Sequence, residues 1–365
     1  MSPDKVVVAM SGGVDSAVAA LLLKRAGYEV SGIYAELWPE PNREETIQTL
    51  EHSCRILDIP FHLLDFRAEF KELVIDYFCH EYSLGRTPNP CIACNRYIKF
   101  VCLMDRALQM GADYLATGHY ARVERSSEGH RLLKGVDLSK DQSYFLYTLS
   151  QKKLEHLLLP LGNLHKAEVR KLATESSLPA SSKRDSQDVC FIPDNDYRSF
   201  IAEYVTSKPG NIVNREGKVI GRHSGLARYT VGQRQGLGVS SNEKLYAIKL
   251  DAATNTLLLG NRDELLSNTL LAGNLSWVSG RVLSGPISVM AKARYRMPVS
   301  PAEIYPEDRE VRVKFREPQR AITPGQSIVF YNGASVLGGG TIEATLEMKA
   351  ETSYAPSLQN KGVAN

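Results

Sequence analysis

An apolar run, Val6-Val7-Val8-Ala9-Met10, leads through Ser11-Gly12-Gly13-Val14-Asp15-Ser16 into the helix-like Ala17-Val18-Ala19-Ala20-Leu21-Leu22-Leu23. This order of strand, glycine-rich turn and helix N-terminus constrains the fold more than any other feature of the chain. Gly12 and Gly13 are free to adopt backbone angles that side chains resist. Successive N–H groups can then converge on an anion while the helix dipole adds partial positive charge. A nucleotide phosphate is the anion such a turn suits. The competing reading is a plain glycine turn in which Ser11, Asp15 or Ser16 caps the helix. No Gly-Lys-Ser/Thr ending is present, so the lysine that reaches the β- and γ-phosphates in a Walker-type loop is missing. An ordinary kinase or GTPase loop is excluded.

The segment resembles the PP-loop of ATP pyrophosphatases, which adenylate a substrate oxygen and release pyrophosphate. Beyond the loop the chain alternates strand and helix: strands over 6–10, 29–34, 61–65 and 114–117, helices over 15–26, 44–57, 68–82 and 91–110. Alternation of this kind predicts an α/β fold, a Rossmann-like parallel sheet covered on both faces, with ligands beyond the carboxyl ends of the strands. Thr117-Gly118-His119-Tyr120 lies at the same edge as the loop, so one crevice holds both. Residues 151–204 read as mostly helical, with Lys166-Ala167-Glu168-Val169 opening one clear helix. After Ser207-Lys208-Pro209-Gly210, short strands with glycine turns predict two small β-rich domains, the second a barrel or sandwich. The expected units are 1–206, 207–267 and 268–349, with 350–365 a mobile tail.

A chain of 365 residues is long enough for two or three domains, and a net charge of +3 is too small to announce a nucleic-acid partner. Any basic surface must be local. No apolar run approaches the roughly 18 residues of a membrane span, and the N-terminus enters a strand without a charged leader. The expectation is a cytoplasmic protein with no membrane partner.

Six cysteines do not make a disulfide scaffold in a chain of this length. Cys54, Cys79 and Cys102 sit in apolar helical patterns and are expected to be small buried hydrophobes. Cys91, Cys94 and Cys190 sit among turn and polar residues. Asn89 suits an N-cap and Pro90 the first helical position, which puts Cys91 and Cys94 one turn apart on one face. The helix dipole, Arg96 and Lys99 are expected to favour thiolate at neutral pH. The basic, polar segment before Cys190 is inconsistent with deep burial. Zinc binding, redox chemistry and an inert pair all remain open for a Cys-x-x-Cys alone.

Taken together, the loop, residues 87–100, Ala116-Thr117-Gly118-His119-Tyr120, Lys140-Asp141-Gln142-Ser143-Tyr144-Phe145-Leu146, residues 186–193, Tyr229-Thr230-Val231-Gly232-Gln233-Arg234-Gln235-Gly236-Leu237-Gly238 and Ile322-Thr323-Pro324-Gly325-Gln326 resemble the bacterial tRNA-specific 2-thiouridylases, the MnmA family. The resemblance runs in order over about residues 5–342. It implies that ATP adenylates the C2 carbonyl oxygen of a wobble uridine and that sulfur displaces AMP. By family position Cys94 is the nucleophile and Cys190 carries a persulfide. Sulfur delivery then leaves a Cys94–Cys190 disulfide for a cellular thiol reductant to reopen. A cysteine desulfurase or a sulfur-relay protein is the implied donor.

The same resemblance assigns ATP to Ala9, Met10, Ser11, Gly12, Gly13, Val14, Asp15, Ser16, Ala35 and Gly118, with Asp15 near Mg²⁺, and the target base to Asn89, Pro90 and Cys91. It assigns tRNA contacts to His119, Lys140, Asp141, Gln142, Arg294, Tyr295 and Gln326 in a chain whose last domain binds tRNA. In Val311-Arg312-Val313-Lys314-Phe315-Arg316 a strand alternates apolar residues with cations, either a solvated face or, beside Arg294, Arg296 and Arg320, a track for a phosphate backbone. Many relatives carry aspartate where this chain has Cys91. Cys91, Cys94 and Cys190 would form a three-thiolate set able to hold a [4Fe–4S] cluster, an alternative to the persulfide route. A PP-loop amidating ligase and a non-catalytic RNA-binding protein are the other readings.

Overall fold

The computed structural model describes residues 2–127, 129–179, 189–192 and 196–346; the expected tail at 350–365 and most of the segment before Cys190 lie outside them. The chain begins with β1 (Lys5–Met10), α1 (Val14–Arg25), β2 (Glu29–Glu36), α2 (Arg43–Leu57) and β3 (Phe61–Asp65). A continuous helix, α3, then runs through Arg67–Phe70, Lys71–Asp76 and Tyr77–Ser83, and α4 through Pro90–Ala93, Cys94–Leu103 and Met104–Gln109. Each has a wider, π-type middle. Strand β4 (Tyr114–Ala116) and a hairpin, β5 (Ala121–Ser126) and β6 (Gly129–Lys134), come next. After them are α5 (Gln151–Glu155), β7 (Leu157–Leu158), α6 (Lys166–Glu175) and α7 (Tyr197–Tyr204).

The sheet order is β3-β2-β1-β4-β7, every pair parallel. The unbroken apolar run of β1 places it mid-sheet, because a strand covered on both faces needs apolar residues on both. One face buries Val6 and Val8 with Val18 of α1, Leu50 of α2 and Val169 of α6. The other face buries Val7 and Ile33 against Phe100 and Leu103 of α4 and against Val329, Tyr331 and Val336, which belong to the last third of the chain. The expected two-sided parallel sheet is present, and one of its sides is covered partly by another module.

Strands β8 (Gly210–Val213), β9 (Val219–His223), β10 (Tyr246–Asp251) and β11 (Thr256–Gly260) make a four-stranded sheet around Ile212, Ala247 and Leu257. Then β12 (Leu266–Trp277), β13 (Ile287–Lys292), β14 (Ser300–Glu307), β15 (Glu310–Arg320), β16 (Ser327–Asn332) and β17 (Ser335–Leu346) close into a barrel, since β12 pairs with both β15 and β17. Of the expected barrel or sandwich, the barrel forms. Its sheet continues through β17 into the β6–β5 hairpin of the first module. The alternation read in residues 311–316 is present, with Val311, Val313 and Phe315 buried and Arg312, Lys314 and Arg316 exposed.

The three parts meet at Thr87. Its N–H donates to the Pro324 carbonyl at 2.9 Å, and its carbonyl accepts from the Gln326 side-chain amide at 2.9 Å. Its hydroxyl lies 3.3 Å from that of Thr230 in the central module. Beside it Arg86 bridges Glu81 of α3 at 2.7 Å and Glu343 of β17 at 2.6 Å. Gly325 has φ +88°, and a Cβ there would lie 2.8 Å from the Thr87 nitrogen. Gly325→Ala is therefore expected to cost about 2–4 kcal/mol in urea unfolding, from combined backbone strain and clash. Gly333→Ala, at φ +57° but with nothing within 4 Å of its Cβ, is expected to cost about 1 kcal/mol. Equal losses would show that the Thr87 contact carries no weight.

Candidate active site

The sheet order reverses between β1 and β4, and a crevice opens at their carboxyl ends. Gly12 takes φ +72°, the left-handed conformation that glycine permits. Ser16 Oγ donates to the Gly13 carbonyl at 3.1 Å and accepts from the Ser11 N–H at 3.1 Å, so this hydroxyl folds the loop. Gly13 occupies the N-cap of α1 and no side chain caps it. The cap reading of Ser11, Asp15 and Ser16 does not hold, and the first turn of a twelve-residue helix presents its N–H groups to the crevice. Gly118 is pressed against that turn: a Cβ would lie 2.8 Å from Asp15 C and 2.9 Å from Ser16 N. Loop and Thr117-Gly118-His119-Tyr120 thus share one crevice, with Ala9 and Met10 ending β1 and Ala35 near the end of the adjacent β2.

Asp15 is not placed as a magnesium ligand. Tyr120 Oη donates to its Oδ1 at 2.8 Å, and the Lys166 ammonium lies 2.8 Å from both carboxylate oxygens. A second cation on those oxygens would stand against Lys166, so Mg²⁺ does not fit on Asp15 in this arrangement. Sequence reasoning recognised Lys166 only as a helix opener and overlooked Tyr120; nothing local links either to a residue more than a hundred positions away.

Helix α4 begins as expected, with Asn89 Oδ1 accepting the Cys91 N–H at 3.2 Å and Pro90 in the first turn. Cys54 and Cys79 are buried, Cys102 is half-buried, and Cys91 and Cys190 keep exposed surface. Cys190 is held beside α4 by its neighbour: Phe191 packs edge-on against Phe70, Phe78 and Phe200 at centroid distances of 5.5, 5.6 and 5.3 Å. Val189, Phe191 and Ile192 share one apolar cluster with Ala93 and Cys94. No signal in the sequence marks Phe191 as this anchor.

The thiolate expectation is overturned. Protein packed around the sulfurs removes water and pushes Cys94 up to about 11 and Cys190 up to about 12, and Cys91 upward as well. Charge on Cys94 and Cys91 raises Cys190 further, which brings all three thiols into electrostatic reach of one another. Lys99 opposes the rise at each of them without overcoming desolvation. Arg96 lines a cavity of about 450 Å³ with Tyr77, Asn89, Tyr97 and Tyr147. Among the described residues no group of three His, Cys, Asp or Glu side chains is arranged to hold a metal ion. Cys91, Cys94 and Cys190 as they lie here are not such a group, and a [4Fe–4S] cluster on them has no support in this arrangement.

Several residues expected to touch tRNA have internal partners. His119 is 8% exposed, its Nδ1 is 2.8 Å from Thr117 Oγ1, and burial holds it well below its usual value and therefore neutral. Asp141, also 8% exposed, accepts from the Gly135 and Ser143 N–H groups and from the Ser143 hydroxyl. Gln142 Oε1 accepts the Tyr120 N–H at 3.0 Å. Arg294 donates to the Val231 carbonyl at 3.2 Å and to Thr323 Oγ1, and Gln326 holds Thr87. Of these, Arg294 and Gln326 dock on another module, and a side chain so placed has the same sequence signature as one facing RNA. Lys140 is half-exposed. Tyr295, 4.3 Å from the Phe145 ring centroid, lies within electrostatic reach of Cys91.

Family models match the chain in three consecutive pieces: the tRNA methyl transferase HUP domain over residues 4–194, the tRNA methyl transferase PRC-barrel domain over 198–261 and the aminomethyltransferase beta-barrel domain over 267–342. Fold and crevice together define a PP-loop protein of the HUP class carrying two β-rich modules. Two similar curated proteins are both named tRNA-specific 2-thiouridylase MnmA. One, from Pelotomaculum thermopropionicum, is 46% identical over 94% of this chain and 99% of its own length. The other, from Geotalea uraniireducens, is 47% identical over 96% and 98%. The chain belongs to the MnmA family.

Thiols that titrate near 11 and 12 are protonated at neutral pH, so alkylation of Cys94 and Cys190 by iodoacetamide should quicken about tenfold per pH unit from pH 7.5 to 9.5 without a plateau. Because these folded values lie above the roughly 8.5 of an unfolded cysteine, the stability they contribute is intact below pH 8 and is lost as pH rises toward 11 and 12. A rate plateau near pH 7, followed by peptide mass mapping, would contradict the assignment.

Proposed function

We propose that this protein is a tRNA 2-thiouridylase that uses ATP to activate the C2 carbonyl of a wobble uridine and replaces its oxygen with sulfur. One observation carries the reading: an uncapped phosphate-loop helix and a Cys94/Cys190 pair are held in one module by the Gly118 contact and the Phe191 anchor. An amidating ligase has no use for that pair. Family membership supplies the substrate class, with relatives of nearly the same length named for thiolation.

ATP occupies the crevice with its polyphosphate on the N–H groups of residues 11–16 and Gly118 leaving room for the α-phosphate side. Magnesium enters as part of the nucleotide. Attack by the uridine O2 on the α-phosphorus forms the adenylated base and expels pyrophosphate. A persulfide on Cys190 then adds to C2, and AMP leaves with the former O2. Cys94 attacks Cys190 Sγ and its proton passes to N3 of the departing base, which forms the Cys94–Cys190 disulfide and releases 2-thiouridine. Two electrons from a cellular thiol reductant restore both thiols. A persulfide is a stronger acid than its parent thiol, so desolvation keeps the unloaded site unreactive while the loaded one ionises.

Catalytic residues in this reading are Cys94 and Cys190, with Asn89, Pro90, Cys91 and Tyr295 near the base. Lys140 and the exposed Arg296, Lys314 and Arg316 follow the phosphate backbone, which positions without specifying sequence. A cysteine desulfurase or relay protein loads Cys190. The units are 1–206, 207–267 and 268–349.

Labelled ATP should yield AMP and pyrophosphate in step with added tRNA; ADP and phosphate as stoichiometric products would refute the reaction. Cys94→Ser and Cys190→Ser are each expected to lower thiolation by at least a thousandfold, whereas Cys54→Ser and Cys79→Ser change activity less than twofold. Full turnover by Cys190→Ser with a persulfide donor would contradict the relay.

A further inference from the structure

The loop at residues 11–16 carries no cation of its own, and a helix N-terminus offers only about half a positive charge. Pyrophosphate leaves with several negative charges. Asp15, in the first turn of the same helix, adds a carboxylate that opposes them. Some group must neutralise that carboxylate and supply positive charge at the moment of departure.

Lys166 has the position to do both. It opens α6, where its backbone N–H donates to Asp137 Oδ2 at 3.0 Å, and α6 packs on α1 through Val169 and Ala173 in a shared core. The residue is only 8% exposed, yet its ammonium reaches both Asp15 oxygens at 2.8 Å and lies 5.7 Å from the centre of the Tyr120 ring. Asp15 is followed by Ser16, whose hydroxyl closes the loop. A lysine ammonium is a compact charge on a flexible stem, able to exchange one anion for another with little backbone movement.

Resting on the polyphosphate reading of the loop, we propose that Lys166 is the leaving-group cation of this enzyme, stored on Asp15 and shared with the polyphosphate when nucleotide binds. Asp15 is then a tether for Lys166 and not a metal ligand. The arrangement supplies from a helix about 150 residues away the charge that a Walker-type loop carries within itself.

The test is calorimetric titration of the full chain with inorganic pyrophosphate, and separately with AMP, in the presence of a chelator so that magnesium contributes nothing. Lys166→Met should weaken pyrophosphate binding at least tenfold and leave AMP within twofold, and Lys166→Arg should recover most of the loss. The double variant Asp15→Asn/Lys166→Met removes both charges and leaves neither buried alone; it should bind pyrophosphate more weakly than the wild type but more tightly than the single methionine variant, because the opposing Asp15 charge is gone as well. Pyrophosphate binding unchanged in both methionine variants would overturn the proposal, as would a parallel fall in AMP binding, which marks a structural role. Absence of pyrophosphate binding by the wild type in chelator would also overturn it. Titration of the wild type with magnesium and ATP keeps the readings apart, because ATP binding there preserves the loop assignment even when the lysine assignment fails.

Discussion

Everything at the crevice depends on how closely Gly118 approaches the first turn of α1. A Cβ at position 118 would lie 2.8 Å from Asp15 C, so only glycine lets β4 deliver Tyr120 to the Asp15 carboxylate. That contact joins the two halves of the parallel sheet at the point where strand order reverses. It brings the phosphate loop, the strand end and, through Asp15, the start of α6 into one rigid set. The Ser16 hydroxyl and the Gly118 contact fix the shape of the loop from within the protein, which limits the ordering entropy that binding must overcome.

The second requirement is placement of sulfur. Asn89 and Pro90 start α4, and Thr87, just before them, is gripped from the barrel by Pro324 and Gln326 and from the central module by Thr230. The β-rich modules therefore set where Cys91 and Cys94 sit. Cys190 depends on a separate anchor, the Phe191 ring among Phe70, Phe78 and Phe200. Desolvation at this meeting point outweighs both the helix dipole and Lys99, because a dipole contributes a fraction of a charge while loss of water affects the whole thiolate. Desolvation accordingly favours the neutral form of these thiols.

Much of this architecture is legible in the sequence because it is locally encoded. Strand, glycine turn and helix succeed one another at residues 6–23, and the Asn89 cap and Pro90 need only neighbouring residues. The alternation at residues 311–316 reads directly as one buried and one charged face. What escapes depends on distant partners. Lys166 meets Asp15 across 151 positions and Gln326 meets Thr87 across 239. Arg294 and Gln326 look like RNA contacts in a loop-by-loop reading, and each also ties its module to another, Arg294 to the Val231 carbonyl and Gln326 to that of Thr87. The extension of the barrel by the β5–β6 hairpin is equally silent, since edge pairing leaves no mark on either segment's hydrophobic pattern.

The central claim is that the protein couples ATP cleavage to sulfur transfer on a tRNA uridine. Mass spectrometry of tRNA nucleosides, after incubation of the protein with ATP, unmodified tRNA and a persulfide donor, reads that claim directly. The account predicts 2-thiouridine formed only when ATP and donor are both present, confined to the wobble position. Thiolation without ATP, a methylated nucleoside in its place, or unaltered uridine with all components present would contradict it.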